Sequence, residues 1–208
     1  MSAFVADELS EVLNTKVVIG RINMGLLNRI IIDDVLLDDQ SGQEMLKVTR
    51  LSAKFDIMPF FKGKISISSV QLFGFNINLR KETPDSPPNF KFVLDAFASK
   101  DTVKKENSLD LRINSILIRR GRMSYHVLSE EETPGKFNAK HIQLQNIIAN
   151  ISLKALSKDS LNLGIKRLSL DEKASGFSLK KMSLKLVANN KQTNIDNFTI
   201  ELPETSLK

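Results

Sequence analysis

In residues 64–79, KISISSVQLFGFNINL, apolar and polar positions alternate, but the alternation changes phase twice. Ile65 and Ile67 alternate with serines, Val70 and Leu72 resume one residue out of step, and Phe73, Phe75, Ile77 and Leu79 complete the run after a second slip. A period of two is the signature of a half-buried strand. One extra residue is what a β-bulge supplies: it bends the strand and returns the next side chains to the original face. The same arrangement, apolar-x-apolar-x-x-apolar-x-apolar, starts at Leu46, Ile65, Leu111, Phe137, Leu163 and Phe177, with a partial copy at Ile195-x-x-Phe198-x-Ile200. Bends recurring in many neighbouring strands predict a sheet curved into a trough.

Around this repeat the periodicity predicts few other elements. Phe4, Val5, Leu9, Val12 and Leu13 fall at helical spacing, so an amphipathic helix is expected over 3–14 with Asn14 as its stop. Strands are expected over 16–24, 28–39, 45–57 and 64–79, with a turn at DDQSG (38–42). MPFFKGK (58–64) reads as a helical turn tucking Phe60 and Phe61 under the sheet. RKETPDSPPNF (80–90) is a surface crossing, and 89–101 a short helix with Phe90, Val93, Leu94 and Phe97 on one face. A charged loop follows at 99–107, and then strands to the end, with turns at 128–136 and 171–176 and a tight Arg-Gly turn within LIRRGRMSY (117–125). We therefore expect one β unit over 1–208: the helix, a first β section at 16–79, a crossing with a short helix at 80–108, and a second β section at 109–208. The abrupt start and the strand-like end, NFTIELPETSLK, suggest a piece of a longer protein.

The strands have one polar and one apolar face, and two short helices cannot cover the apolar side. By pattern alone it must close as a filled sandwich or barrel, pair with another copy, or hold an apolar ligand. Composition narrows the chemistry. The 208 residues contain no cysteine, which excludes disulfides, thiolate nucleophiles and Cys-type zinc sites. Twelve Phe with one Tyr and no Trp argue against base-stacking or sugar-reading surfaces. The net charge of +6 resides in the second half: residues 1–104 carry 13 basic and 13 acidic side chains, and 105–208 carry 17 and 11. A lysine-rich solvated face accounts for this excess. No run of 18 apolar residues is present to span a membrane.

Catalytic signatures are missing. His126 and His141, the two histidines, are fifteen residues apart without helical ligand spacing, and are expected as separate surface strand residues. The carboxylate runs Asp33-Asp34, Asp38-Asp39 and Glu130-Glu131-Glu132 are expected in turns or at strand ends, where paired acids seldom acquire divergent pKa values. DDVLLDDQSGQE (33–44) places Val35 and Leu37 where calcium ligands would stand. There is no Gly-rich phosphate loop or nucleophile elbow. Neither an enzyme, a cofactor, a metal nor a nucleic-acid partner is expected.

The succession FVADELSEVLNT, VVIGRINM, IIIDDVLLDDQSGQEML and LSAKFDIMPFFKGKISISSVQLFG, spanning residues 4–79, resembles the N-terminal region of the AsmA-like family, TamB type, of Bacteroides-type bacteria. The family is similar to the repeating β-groove lipid carriers. The resemblance implies a mainly β fold: a long curved antiparallel sheet forming an open, taco-like groove. It also implies a periplasmic location, an inner-membrane anchor helix outside this chain, and phospholipid movement between inner and outer membranes. Assembly of outer-membrane proteins, with strand addition to a scaffold, is the alternative. The expected groove-facing residues are Leu51, Ala53, Phe55, Ile65, Ile67, Val70, Leu72, Phe75, Ile77, Ile116, Ile118, Ile142, Leu144, Ile147 and Ile151.

Overall fold

The computed structural model describes residues 2–26, 28–55, 67–98, 113–157, 160–203 and 206–207. Its centre is an open sheet whose strands lie side by side in chain order. They are β1 (Val17–Gly25), β2 (Arg29–Asp38), β3 (Glu44–Phe55), β4 (Ile67–Lys81) and β5 (Ile113–Val127). β6 (His141–Ser157), β7 (Ser160–Glu172), β8 (Ser178–Asn189), β9 (Thr193–Glu201) and the two-residue β10 (Ser206–Leu207) complete it. Every pair is antiparallel except β4–β5, which runs parallel, so the expected antiparallel sheet is in fact mixed. A parallel neighbour needs a crossover returning the chain to the starting end. The segment between Lys81 and Ile113 makes that return and includes the second helix.

Helix α1 (Ser2–Leu13) ends where expected: Asn14 adopts a left-handed φ of 49°, and the Thr15 N–H donates to the Ser10 carbonyl at 3.1 Å. Helix α2 (Lys91–Ala98) turns a different face inward than the spacing predicts. Phe90, Phe92 and Val93 pack inward, while Leu94 is 56% exposed. Helix α1 packs on β1 and α2 packs beside α1, so that Val5, Ala6, Leu13, Phe90, Phe92 and Val93 gather with Val17, Ile19, Leu37 and Met45. A second cluster, centred on Val48, Phe75 and Ile147, is built from strand residues alone.

The chain exposes 14171 Å², whereas a compact monomer of 23.4 kDa exposes about 9,700 Å². Among the described residues no strand pairs β1 with the far end of the sheet, so the sheet does not close. The turn at MPFFKGK (58–64) and the loop at 99–107 lie outside the described residues.

Across β1–β5 the slips in alternation fall at one aligned irregular residue per strand, and from the β5–β6 pair onward they are bulges. Gly20, Asp34, Thr49, Gly74 and Arg120 stand at one level across β1–β5, with the register unchanged on either side. Asp34, Gly74 and Arg120 have left-handed φ values of 55°, 64° and 56°. Each strand spends one extra residue at this level, which makes a crease across half the sheet. Beyond β5 the bulges are staggered, with register shifts at Gln145/Ile148, Ile165/Leu168 and Ser183/Lys185, and left-handed Asn146 and Asn197. Three expectations need correcting. Arg119–Gly121 is a bulge inside fifteen-residue β5, not a turn between strands. Asp33 and Asp34 lie in mid-strand, not at a strand end. The copy beginning at Phe137 falls in the β5–β6 turn, where Phe137 is 63% exposed; the slip in β6 is at Asn146 instead.

Candidate functional site

Cross-strand partners point to the same face, so the register assembles the apolar face residue by residue. One row runs Ile22, Ile32, Leu51, Leu72, Ile118, Ala149, Leu168, Met182, Ile200, crossing nine strands without a polar residue. A second runs Met24, Ile30, Ala53, Val70, Ile116, Ile151, Ile165, Leu184. A third begins Ile19, Val35, Val48, Phe75, and a fourth, Val17, Leu37, Leu46, Ile77, Met123, Leu144, ends opposite Glu172. At about 4.8 Å between strands, the nine-strand row is about 38 Å long.

Of the expected groove residues, Leu51, Leu72, Phe75, Ile77, Ile118, Leu144 and Ile147 belong to the central cluster. Ala53, Val70, Ile116 and Ile151 lie together in the second row. Ile142 is opposite Tyr125, one strand step beyond Leu144. Ile67 pairs with Phe55 across a register shift, which is the first of the two slips in β4. Phe55 is placed by its backbone, and Ile65 lies outside the described residues. Phe73 does not continue the run to Phe75. Left-handed Gly74 follows it, so Phe73 points to the opposite face, where the Arg120 guanidinium sits 5.1 Å from its ring centroid. The expected set omits Ile32, Val35, Val48, Ala149 and Met182, which share these rows. For β3, β7 and β8 the slip pattern itself carried the signal. In β2 the polar pair Asp33-Asp34 between Ile32 and Val35 is the same signal in a different dress.

Gly121 is where the crease meets the floor of this face. A Cβ there would lie 2.4 Å from Cε1 and Cζ of Phe75, so the absence of a side chain on β5 makes room for the ring from β4.

Charged groups decorate the rim and the opposite face. Asp39, 2% exposed, anchors the helical end. Its carboxylate accepts from the Ser41 hydroxyl (2.6 Å), the Ser41 and Gln43 N–H groups and Asn89 Nδ2 (3.1 Å), and pairs with Arg80 at 2.6 Å. Burial pushes its pKa up, but the hydrogen bonds from Ser41, Asn89 and Gln43 outweigh it and hold the carboxyl below its ordinary value. Glu172 does the same at the β7–β8 turn: desolvation is outweighed by the Ser175 hydroxyl and the Ser175, Ala174 and Gln143 N–H groups. On the outer face Arg50 Nε donates to Asp33 at 2.6 Å, which lowers the Asp33 pKa and raises that of Arg50.

His126 and His141, expected apart, are direct cross-strand partners whose Nδ1 atoms lie 3.0 Å from each other. Glu132 reaches to 3.8 Å from His126 Nδ1. Among the described residues these form the one group of three metal-ligating side chains close enough to share an ion. No described helix is long and apolar enough to cross a membrane. In comparisons with known proteins, no family model matches this chain and no curated protein is significantly similar to it.

Proposed function

We propose that the apolar face is a gutter for acyl chains, and that the chain is a periplasmic segment of an AsmA-like, TamB-type envelope protein guiding phospholipid between inner and outer membranes. The reading rests on one observation: an apolar row unbroken across nine strands, on a sheet that does not close. Moving each methylene from lipid into water costs about 0.8 kcal/mol, so two chains of ~15 methylenes would face roughly 24 kcal/mol in unaided transfer. A continuous apolar floor removes most of that barrier with no catalytic group, in line with the sequence motifs. The cluster that α1 and α2 form with Val17, Ile19, Leu37 and Met45 covers one end of the gutter.

Two neighbouring residues test this. Ile118 belongs to the nine-strand row, whereas Leu117 pairs with Gln71 and Asn150 on the other face. Ile118→Lys should reduce uptake of a fluorescent fatty-acid probe at least tenfold, and Leu117→Lys should leave it unchanged, with both variants folded by circular dichroism. Equal uptake by wild type and a folded Ile118→Lys protein refutes the proposal.

A second reading, a scaffold that receives strands of outer-membrane proteins, is favoured by the β9 edge. Among the described residues only Ile200 and Glu201 of β9 pair with β10. That activity would survive Ile118→Lys and respond to Pro substitutions along 193–199.

A further inference from the structure

We propose that His126, His141 and Glu132 form a binding site for a divalent transition-metal ion of the zinc type, on the face opposite the apolar rows. His141 is 7% exposed, and its orientation is fixed. Its Nε2 lies 2.9 Å from the Glu130 carbonyl oxygen, which can only accept, so Nε2 carries the hydrogen and Nδ1 presents a bare lone pair. His141 is held by a backbone carbonyl through one nitrogen while the other faces His126, and a carbonyl partner of this kind orients metal-ligating histidines.

The distances fit an ion. Two ligand atoms each about 2.05 Å from a tetrahedral zinc lie about 3.3 Å from each other. The two Nδ1 atoms are 3.0 Å apart, and Glu132 Oε1 is 3.8 Å from His126 Nδ1. Small rotations of side chains that are part-exposed at His126 and exposed at Glu132 close the difference. Without metal, the His126 Nδ1 hydrogen occupies the gap by donating to His141 Nδ1. On binding, that hydrogen moves to His126 Nε2, both Nδ1 atoms become ligands, and no net proton is released.

The surrounding charges leave Glu132 as the ligand. Glu130 is paired with Lys140 at 2.7 Å, and Arg80, beside His126 across the parallel pair, is committed to Asp39. The loop bearing Glu132 is held by Asn138, whose Nδ2 donates to the Glu131 carbonyl at 3.2 Å and to Thr133 Oγ1 at 2.7 Å. Three protein ligands leave a fourth tetrahedral position to water, and imidazole with carboxylate selects zinc-like ions over magnesium or calcium.

Titration of the intact chain with Zn²⁺ by calorimetry, and with Co²⁺ by its visible d–d absorption, decides the matter. We expect saturation at one ion per chain, with a tetrahedral Co²⁺ spectrum displaced by Zn²⁺. His126→Gln should weaken affinity by at least about tenfold, Glu132→Gln should weaken it to a smaller extent, and Glu131→Gln should leave it unchanged. Because His126 is not buried, its variant should keep the wild-type circular dichroism spectrum. Absence of uptake at micromolar metal, or equal affinity in wild type and His126→Gln, overturns the site.

Discussion

Replacing Gly121 by Ala adds one methyl group to β5 and tests the crease directly. An Ala Cβ would stand 2.4 Å from two Phe75 ring carbons and 3.0 Å from Ile147 Cβ. Unstrained carbons approach to about 3.5–4.0 Å, so the ring must retreat by more than about 1 Å. Phe75 is 8% exposed at the centre of its cluster, and any retreat pushes it off its rotamer or displaces β4 from β5. Overpacking of this kind costs about 1–3 kcal/mol. In an ordinary strand position Ala is favoured over Gly by about 0.5–1 kcal/mol, which acts in the opposite direction. The net expectation is a loss of about 1–2 kcal/mol, lowering Tm by about 2–8 °C for a chain of this size. Thermal unfolding followed by circular dichroism reads this shift. Phe75→Leu supplies the control, because without the ring atoms the added methyl group should be neutral or stabilising, giving a coupling energy within the 0.5–3 kcal/mol range of contacting residues. A Gly121→Ala protein melting at or above wild type, or losing the same amount in the Phe75→Leu background, would refute the placement of Phe75 over Gly121.

The buried turn carboxylates predict a pH dependence. Both Asp39 and Glu172 have folded-state pKa values below their unfolded values of about 3.9 and 4.3, so their stabilisation is complete above about pH 4.3 and is lost as pH falls through the folded values. Wild-type Tm should therefore drop steeply below about pH 4, and the Asp39→Asn/Glu172→Gln protein should show a flatter acid limb. At neutral pH Asp39→Asn alone should lose about 1–3 kcal/mol in urea unfolding, because a buried acceptor of several hydrogen bonds is replaced by a group with donors facing donors. At the end of α1, Asn14→Gly should be neutral or stabilising by chemical denaturation, whereas Asn14→Ala should lose about 1 kcal/mol to the left-handed backbone.

The lengths of α1 and the early strands were legible in the chain, because helix and strand periods follow from local backbone geometry. So were most of the phase changes: the apolar-x-x-apolar steps at Val48–Leu51, Ile67–Val70, Ile165–Leu168 and Leu179–Met182 are the places where the sheet changes phase. The placement of Leu51, Val70, Ile118 and Ile147 on the apolar face follows from the same alternation. Periodicity alone misassigned Phe73, since nothing in a count of apolar positions says that Gly74 takes the extra residue of the bulge. It also misassigned Leu94, because the spacing of apolar positions on a short helix does not specify which of them turn inward.

Non-local hydrogen bonding decided the rest. Register sets Gly20, Asp34, Thr49, Gly74 and Arg120 at one level and turns separate bends into a crease. The crossover between Lys81 and Ile113 makes β4 and β5 parallel, and the β5–β6 register sets His126 against His141. Asp39 becomes a buried anchor only when Arg80 and Asn89, some forty to fifty residues further on, arrive beside it. The alternation of apolar and polar side chains says which way each residue turns relative to its neighbours in the chain. Which strand lies alongside, and at what offset, depends on the closure of long loops and on pairing between distant backbone groups, and only the folded sheet expresses that choice.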